Sequence, residues 1–239
     1  MSQIITVTMN PAVDKSAHIE HVTTDVKLRT SRVRRDPGGG GINVSRAVQH
    51  LGGASCAVFT AGGIEGQLLQ ELLGQEGLRQ VAVEIAQPVR ENLTVVEDSS
   101  GRQYRFGMPG PHLSTTEIEH VEERVREELA EGSYLVASGS LPPGVPADFY
   151  ARLAGAARDA GARFVLDTSG EPLTHAVEEG VFLVKPNLKE LASLTDDGGL
   201  EEPRIREAAE ELVARGRAEH VLVSMGSGGA YLVNADGSR

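Results

Sequence analysis

A single cysteine in 239 residues, Cys56, excludes an internal disulfide. It sits inside an apolar run and reads as a small buried hydrophobe in a reducing compartment, so a cytoplasmic protein is expected. Long apolar runs are missing as well. None approaches the ~20 residues of a membrane span, and Met1-Ser2-Gln3-Ile4 has neither the basic nor the apolar part of a signal peptide. Positive charge is in deficit: 34 acidic against 23 basic side chains give a net charge of −11, which argues against nucleic acid or an anionic membrane as partner. The seven histidines are scattered, with no pair at metal-ligand spacing on one helix. No repeat and no low-complexity segment occurs. What remains is a small-molecule partner and one α/β domain spanning residues 1–239, long enough for a sizeable core.

The most unusual stretch is Asp36-Pro37-Gly38-Gly39-Gly40-Gly41-Ile42-Asn43. Four glycines in series cost backbone entropy, and the reason is either positive φ or the close approach of a ligand to bare amides. A helix is expected over residues 44–51, with Ile42, Val44, Ala47, Val48 and Leu51 on its buried face. Amides at such a helix start suit phosphate or a hydroxyl-rich anionic ligand. A flexible linker would be flanked by polar sequence. A dinucleotide fingerprint would follow a hydrophobic strand, whereas Arg32-Val33-Arg34-Arg35-Asp36-Pro37 is charged and ends in proline.

Elsewhere short strand patterns, at residues 4–8, 54–61, 81–86, 134–137, 164–167, 182–185 and 221–224, alternate with helical ones at 64–75, 147–160 and 201–215. Ser114-Thr115-Thr116-Glu117 is a capping box that opens a further helix. This alternation predicts an α/β fold, a mostly parallel sheet with helices on both faces. Glu122, Glu123, Arg124 and Arg126 read as a solvated helix face. Residues 17–35 and 92–106 alternate polar with apolar positions, with Asp98-Ser99-Ser100-Gly101 as a hairpin turn. They predict a small antiparallel β lid, its strands drawn from about 15–35 and 91–107. Asp14 is expected in a turn beyond the first strand, either as a ligand group or as a turn cap. Polar loops follow three later strands, Ser138-Gly139-Ser140-Leu141-Pro142-Pro143-Gly144, Lys185-Pro186-Asn187-Leu188-Lys189-Glu190 and Ser224-Met225-Gly226-Ser227-Gly228-Gly229. They lie at the edge where open α/β sheets bind ligands.

Those motifs, Gly-Gly-Gly-Gly-Ile-Asn at 38–43, Ser-Gly-Ser-Leu-Pro-Pro-Gly at 138–144, Lys-Pro-Asn-x-x-Glu at 185–190 and Ser-x-Gly-x-x-Gly at 224–229, resemble in order and spacing the ribokinase-type (PfkB) carbohydrate kinase family. The resemblance spans the chain and is closest to the minor-type 6-phosphofructokinase branch, which Tyr104-Arg105-Phe106-Gly107-Met108-Pro109-Gly110 also resembles. It implies a ribokinase-like three-layer fold and transfer of the γ-phosphate of MgATP to the C1 hydroxyl of fructose 6-phosphate. A 1-phosphofructokinase or tagatose-6-phosphate kinase is the alternative within the class, although those relatives typically carry Gly-Lys-Gly-Ile-Asn where this chain has Gly39-Gly40-Gly41-Ile42-Asn43.

By the same resemblance, Asp14 and Asn43 hold sugar hydroxyls, Gly39 and Gly40 let the sugar lie against the backbone, and Ser138 assists. Arg90 and Arg105 clamp the sugar's phosphate, joined by Lys27 from the lid of a neighbouring subunit in a homodimer. Lys185, Asn187, Ser224, Gly226 and Gly229 are ATP positions, Glu190 acts on Mg²⁺ through water, and Asp167 joins that network. Taken alone, Arg90 reads as a surface ion pair, Arg105 and Lys27 as exposed strand charges, and Glu190 as a first-turn helix carboxylate. The family's catalytic aspartate lies in a Gly-Ala-Gly-Asp motif beyond the Ser-x-Gly-x-x-Gly loop, and no such motif occurs in the 239 residues. The domain is therefore expected to be C-terminally incomplete or inactive, and these residues by themselves to transfer phosphate negligibly. The reading of another class is a non-catalytic sugar-phosphate-binding remnant.

Overall fold

The computed structural model describes residues 3–195 and 202–238. Glu201, expected to open the last helix, lies outside them. The chain runs β1 (Ile4–Thr8), β2 (Ala12–Ile19), β3 (Ser31–Gly38), α1 (Gly40–His50), β4 (Ser55–Ala61), α2 (Gly63–Gln75) and β5 (Arg79–Glu84). Next come β6 (Arg90–Glu97), β7 (Gln103–Phe106), α3 (Thr115–Glu128), β8 (Tyr134–Ser138), α4 (Phe149–Asp159), β9 (Arg163–Asp167) and α5 (Glu171–Glu179). It continues through β10 (Val181–Val184), α6 (Leu188–Leu194), α7 (Glu202–Ala214), β11 (Ala218–Ser224), β12 (Ala230–Asn234) and β13 (Gly237–Ser238).

Among the described residues the main sheet has the order β13-β12-β11-β10-β9-β8-β1-β4-β5, parallel except at β12 and β13. From β1 the chain steps one way to β4 and β5, with α1 and α2 packed on those strands. It then crosses to β8 and steps the other way, with α4, α5 and α7 packed on β9 to β12. Right-handed crossovers put these two groups of helices on opposite faces. The direction reverses between β1 and β8, and such a switch point opens a crevice at the carboxyl ends of the strands.

Alternation along the strands builds the core. Ile5, Val7, Leu135, Ala137, Leu166, Val184, Val221 and Val223 are buried, and Phe149, Tyr150 and Leu153 of α4 pack into the same cluster. Each large side chain sealed in this way contributes about 1.5–3 kcal/mol. A second cluster, including Val13, Ile42, Phe59, Leu69 and Leu73, seats α1 and α2.

Four local expectations need correction. Helix α1 begins at Gly40, within the glycine run, and its buried positions are Gly41, Ile42 and Ser45, while Ala47 is exposed and Leu51 is 88% exposed. The polar Ser45 goes inward because the hydroxyls of Thr6 and Ser55 both bond to it at 2.9 Å. Glu122 is buried rather than solvated, held by Arg152 at 2.8 Å and Arg126 at 3.3 Å. Asp14 lies in strand β2 instead of a turn. Helix α5, unanticipated, has Pro172 at its start, Leu173, Ala176 and Val177 buried, and Gly180 beyond its end.

The lid is the second sheet, in the order β3-β2-β6-β7. Its outer pairs are antiparallel, and its two halves meet in a parallel β2–β6 ladder. The direction follows from connectivity: β2 leaves the rim just after β1 and β6 leaves it just after β5, so both strands start at the same edge.

The capping box at α3 forms as expected. The Glu117 carboxylate accepts from Ser114 N at 2.7 Å, Ser114 Oγ at 2.8 Å and Ala86 N at 2.6 Å. Burial pushes this carboxyl up, but the two backbone N–H groups and the Ser114 hydroxyl outweigh it and hold it below its ordinary value. Its stabilisation is therefore complete above the unfolded-state value and is lost as pH falls from there through the lower folded-state value. Glu117→Gln is expected to cost about 1 kcal/mol at pH 7. In urea titrations the gap between variant and wild type should close as pH drops below about 4.3, and a gap that persists at pH 3 would contradict this account.

Candidate functional site

The glycine run sits at the switch point, and the neighbour of each glycine explains its missing side chain. A Cβ at Gly38 would lie 2.2 Å from Asp14 Oδ2, one at Gly40 would lie 2.3 Å from Ser138 Oγ, and one at Gly41 would lie 2.4 Å from the Val7 carbonyl oxygen. Gly39 adopts φ +123° as the chain turns from the lid into α1, against Thr8 and Pro11. The close approach foreseen from sequence is thus made in large part by the protein itself. Thr8 Oγ1 accepts from Ile42 N at 2.9 Å, so β1 caps the helix that the glycines begin. Asn43 is exposed in the first turn of that helix, with its N–H on Gly39 O.

One face of the lid is polar. Asp14 pairs with Asn92 across the β2–β6 ladder, and Asn92 Nδ2 donates to Asp14 Oδ1 at 2.9 Å. Arg90, two residues before Asn92, shares that face and turns inward: Nη2 donates to Asn10 O at 3.0 Å and Nη1 to Met108 O at 3.2 Å. Burial pushes the Arg90 guanidinium down from its ordinary value, with the nearby Asp14 charge opposing. Arg105 pairs with Thr94 and so faces the same way, but no contact joins it to Arg90. Four residues of strand separate Arg90 from Thr94, roughly 13 Å, and the Arg105 guanidinium is held by Gln103 Oε1 at 2.8 Å. Lys27 is exposed in the connection between β2 and β3.

Along the rim, Asp167 at the end of β9 links two of the expected positions. Lys185 Nζ lies 3.0 Å from Asp167 Oδ1, and Ser138 Oγ lies 3.5 Å from Asp167 Oδ2. Below them the Gly139 carbonyl accepts from Tyr150 OH at 3.0 Å and Thr168 Oγ1 at 2.9 Å. Asn187 caps α6: its Oδ1 accepts from Lys189 N at 2.9 Å and Glu190 N at 3.0 Å, while Glu190 Oε2 accepts from Asn187 N at 2.8 Å. Ser224 N donates to Pro186 O at 2.9 Å, bringing the second and third rim loops together, and Gly226 to Gly229 form a tight turn closed by Met225 N on Gly229 O.

The structure therefore joins Asp14 and Arg90 to the glycines, Ser138 to Lys185 through Asp167, and Asn187 to Glu190. Among the described residues no hydrogen bond or ion pair joins Arg105 or Lys27 to them. Sequence reasoning missed Asn92 and Asn10. Alternation placed Asn92 on the face of Arg90, but its pairing with Asp14 depends on strand register.

Fold and rim together define an α/β small-molecule domain with a β lid over its switch point, carrying groups that suit hydroxyls and anions. Residues 5–239 match the pfkB family of carbohydrate kinases, and the chain belongs to that family. It is 47% identical over 236 residues to the ATP-dependent 6-phosphofructokinase isozyme 2 of Mycobacterium tuberculosis, covering 99% of this chain and 69% of that one. The isozyme of the same name from Escherichia coli K12 is 42% identical over 237 residues, covering 99% and 76%. The crystal structure of Escherichia coli phosphofructokinase-2 in complex with fructose-6-phosphate superposes with a TM-score of 0.96 at 41% identity, over 100% of this chain and 79% of that chain.

The packing of Gly41 generates a test. Because its Cβ would strike backbone rather than a movable side chain, Gly41→Ala is expected to destabilise by about 1–3 kcal/mol. The urea midpoint should fall at unchanged slope, and a midpoint equal to wild type would refute the packing argument.

Proposed function

We propose that this chain carries the sugar-phosphate and nucleotide sites of an ATP-dependent 6-phosphofructokinase, the enzyme that transfers the γ-phosphate of ATP to the C1 hydroxyl of fructose 6-phosphate; the family's catalytic aspartate motif is not among its 239 residues. The observation that carries the reading is the juxtaposition on one lid face of a hydroxyl-reading pair, Asp14 and Asn92, with the half-buried Arg90. The names of the relatives support it. Asp14 and Asn43 receive sugar hydroxyls beside Gly39, Gly40 and Ser138. Arg90 takes the sugar's phosphate in exchange for its carbonyl partners, since guanidinium forks match phosphate oxygens better than they match neutral carbonyls. Lys185, with Ser224, Gly226, Gly229 and Asn187, receives the nucleotide phosphates.

The rim suits Mg²⁺ only in part. Among the described residues no group of three or more His, Cys, Asp or Glu side chains could hold a metal ion. One oxygen of Glu190 is already used by Asn187 N. That donor set fits an ion held mainly by phosphates and water, with Glu190 reaching it through water. When bound, the metal would neutralise phosphate charge. The chain's own residues position the ligands and offset their charge, which is most of what phosphoryl transfer requires.

The titration that tests this reading compares fructose 6-phosphate, fructose 1-phosphate and tagatose 6-phosphate by calorimetry. Fructose 6-phosphate is expected to bind tightest, and Arg90→Lys to weaken it about tenfold to a hundredfold. A preference for either other sugar would replace the substrate assignment, and no binding of any would remove the sugar-phosphate reading.

The proposed homodimer through the lid, in the cytoplasm, draws on exposed apolar side chains of the outer lid strands, Val33 at 51% and Phe106 at 50% exposure. Pairing would cover these edges and bring Lys27 toward a second copy's phosphate clamp. Sedimentation should show a wild-type dimer and a Phe106→Glu monomer. A wild-type monomer at micromolar concentration would contradict the dimer.

A further inference from the structure

Asn10 follows β1 at the switch point and is 8% exposed. Its backbone carbonyl accepts from Arg90 Nη2 at 3.0 Å, and its Nδ2 donates to Ser140 Oγ, in the loop after β8, at 3.1 Å. Its Oδ1 is buried and has no hydrogen-bond partner. That oxygen lies against Gly110, where a Cβ would approach it to 2.3 Å. Arg90 Nε is likewise buried without a partner. An open acceptor and an open donor thus flank one hydrogen bond, a combination that matches a ligand carrying both hydroxyls and anionic oxygens.

The segment over Asn10 is held by the same lid groups. Met108 O accepts from Arg90 Nη1 at 3.2 Å, and Met108 N donates to Asn92 Oδ1 at 3.2 Å. A phosphate that takes the Arg90 fork would compete with Met108 O and so loosen the segment leading to Gly110, the residue against Asn10 Oδ1. A sugar hydroxyl can then donate to that oxygen, whereas inorganic phosphate held on the Arg90 fork carries no sugar hydroxyl to place there.

We propose that Asn10 is a further substrate-contacting residue, which accepts a hydrogen bond from a hydroxyl of the sugar phosphate and so sets specificity beside Arg90. This rests on the sugar-phosphate reading above, and wild-type binding of fructose 6-phosphate tests that reading first. Calorimetry is then run with fructose 6-phosphate and with inorganic phosphate on wild type, Asn10→Ala and Arg90→Ala. Asn10→Ala should weaken fructose 6-phosphate about tenfold and leave inorganic phosphate within about twofold, while Arg90→Ala weakens both. Equal loss for both ligands would make Asn10 a support for Arg90 alone, and no loss for either would make it structural; both results overturn the proposal. Should Asn10→Ala fail to fold, the side-chain amide resonance of Asn10 in wild type replaces it. That resonance is expected to shift with fructose 6-phosphate and not with inorganic phosphate, and identical responses would overturn the proposal.

Discussion

Everything at the rim depends on how closely neighbouring groups approach the bare backbone of Gly38, Gly40 and Gly41. The Asp14 carboxylate, the end of β8 at Ser138 and the Val7 carbonyl each occupy the volume that a side chain would take. These contacts bring together the lid, the strand on one side of the switch point and the strand on the other. Each glycine costs backbone entropy, roughly 0.5–1 kcal/mol relative to alanine. The cap from Thr8 to Ile42 N and the burial of Ile42 offset part of that cost. A helix start held this tightly has little freedom to drift, so its first turn keeps a fixed relation to Asp14 and Arg90.

The charge of the chain would seem to oppose an anionic ligand, since it totals −11. Screening decides otherwise. At physiological salt the Debye length is about 8 Å, so exposed acidic side chains on distant helices contribute little at the rim. A guanidinium at contact, in the reduced dielectric that burial brings, interacts by about 4 kcal/mol at 4 Å for an effective constant of 20. Arg90 is in that regime. The Lys185–Asp167 pair, with side chains 37% and 40% exposed, is only weakly held together, which leaves the lysine free to exchange its partner for a phosphate.

Features with a local physical cause were legible in the sequence. The Ser114 box, the turn at Asp98 to Gly101 and the polar loops after β8, β10 and β11 depend on neighbours a few residues away. Features set by distant partners were not. Ser45 is buried because Thr6 and Ser55 supply hydroxyls, and Glu122 because Arg152 reaches it from another helix. Periodicity cannot reveal either. The short α5 shows only three apolar positions, too few to stand out from a loop. At the site, residue type and place left Asp14 as a ligand group or a turn cap, and only the family resemblance pointed to Arg90; their relation to Asn92 and Asn10 required the register of β2 on β6. The family resemblance supplied residues such as Arg105, whose own surroundings, an exposed strand and Gln103, argue for no particular ligand.

The parallel β2–β6 ladder gives the two arginines unequal standing. Ala12 pairs with Arg90 where both strands leave the rim, so the position of Arg90 is tied to the main sheet through β1 and β5. Arg105 sits farther out, on the edge strand β7, and answers only to the hairpin that carries it. On the proposed reading a phosphate in this lid would be anchored first at Arg90, beside the rim, with Arg105 farther out on the hairpin. Anchoring there would direct the rest of a short sugar along the rim, past the glycines and Ser138, toward the loops of β10 and β11. That direction is the one a hydroxyl must take to meet a nucleotide held by Lys185, which is why the order of groups along the rim matters more to this reading than any single distance.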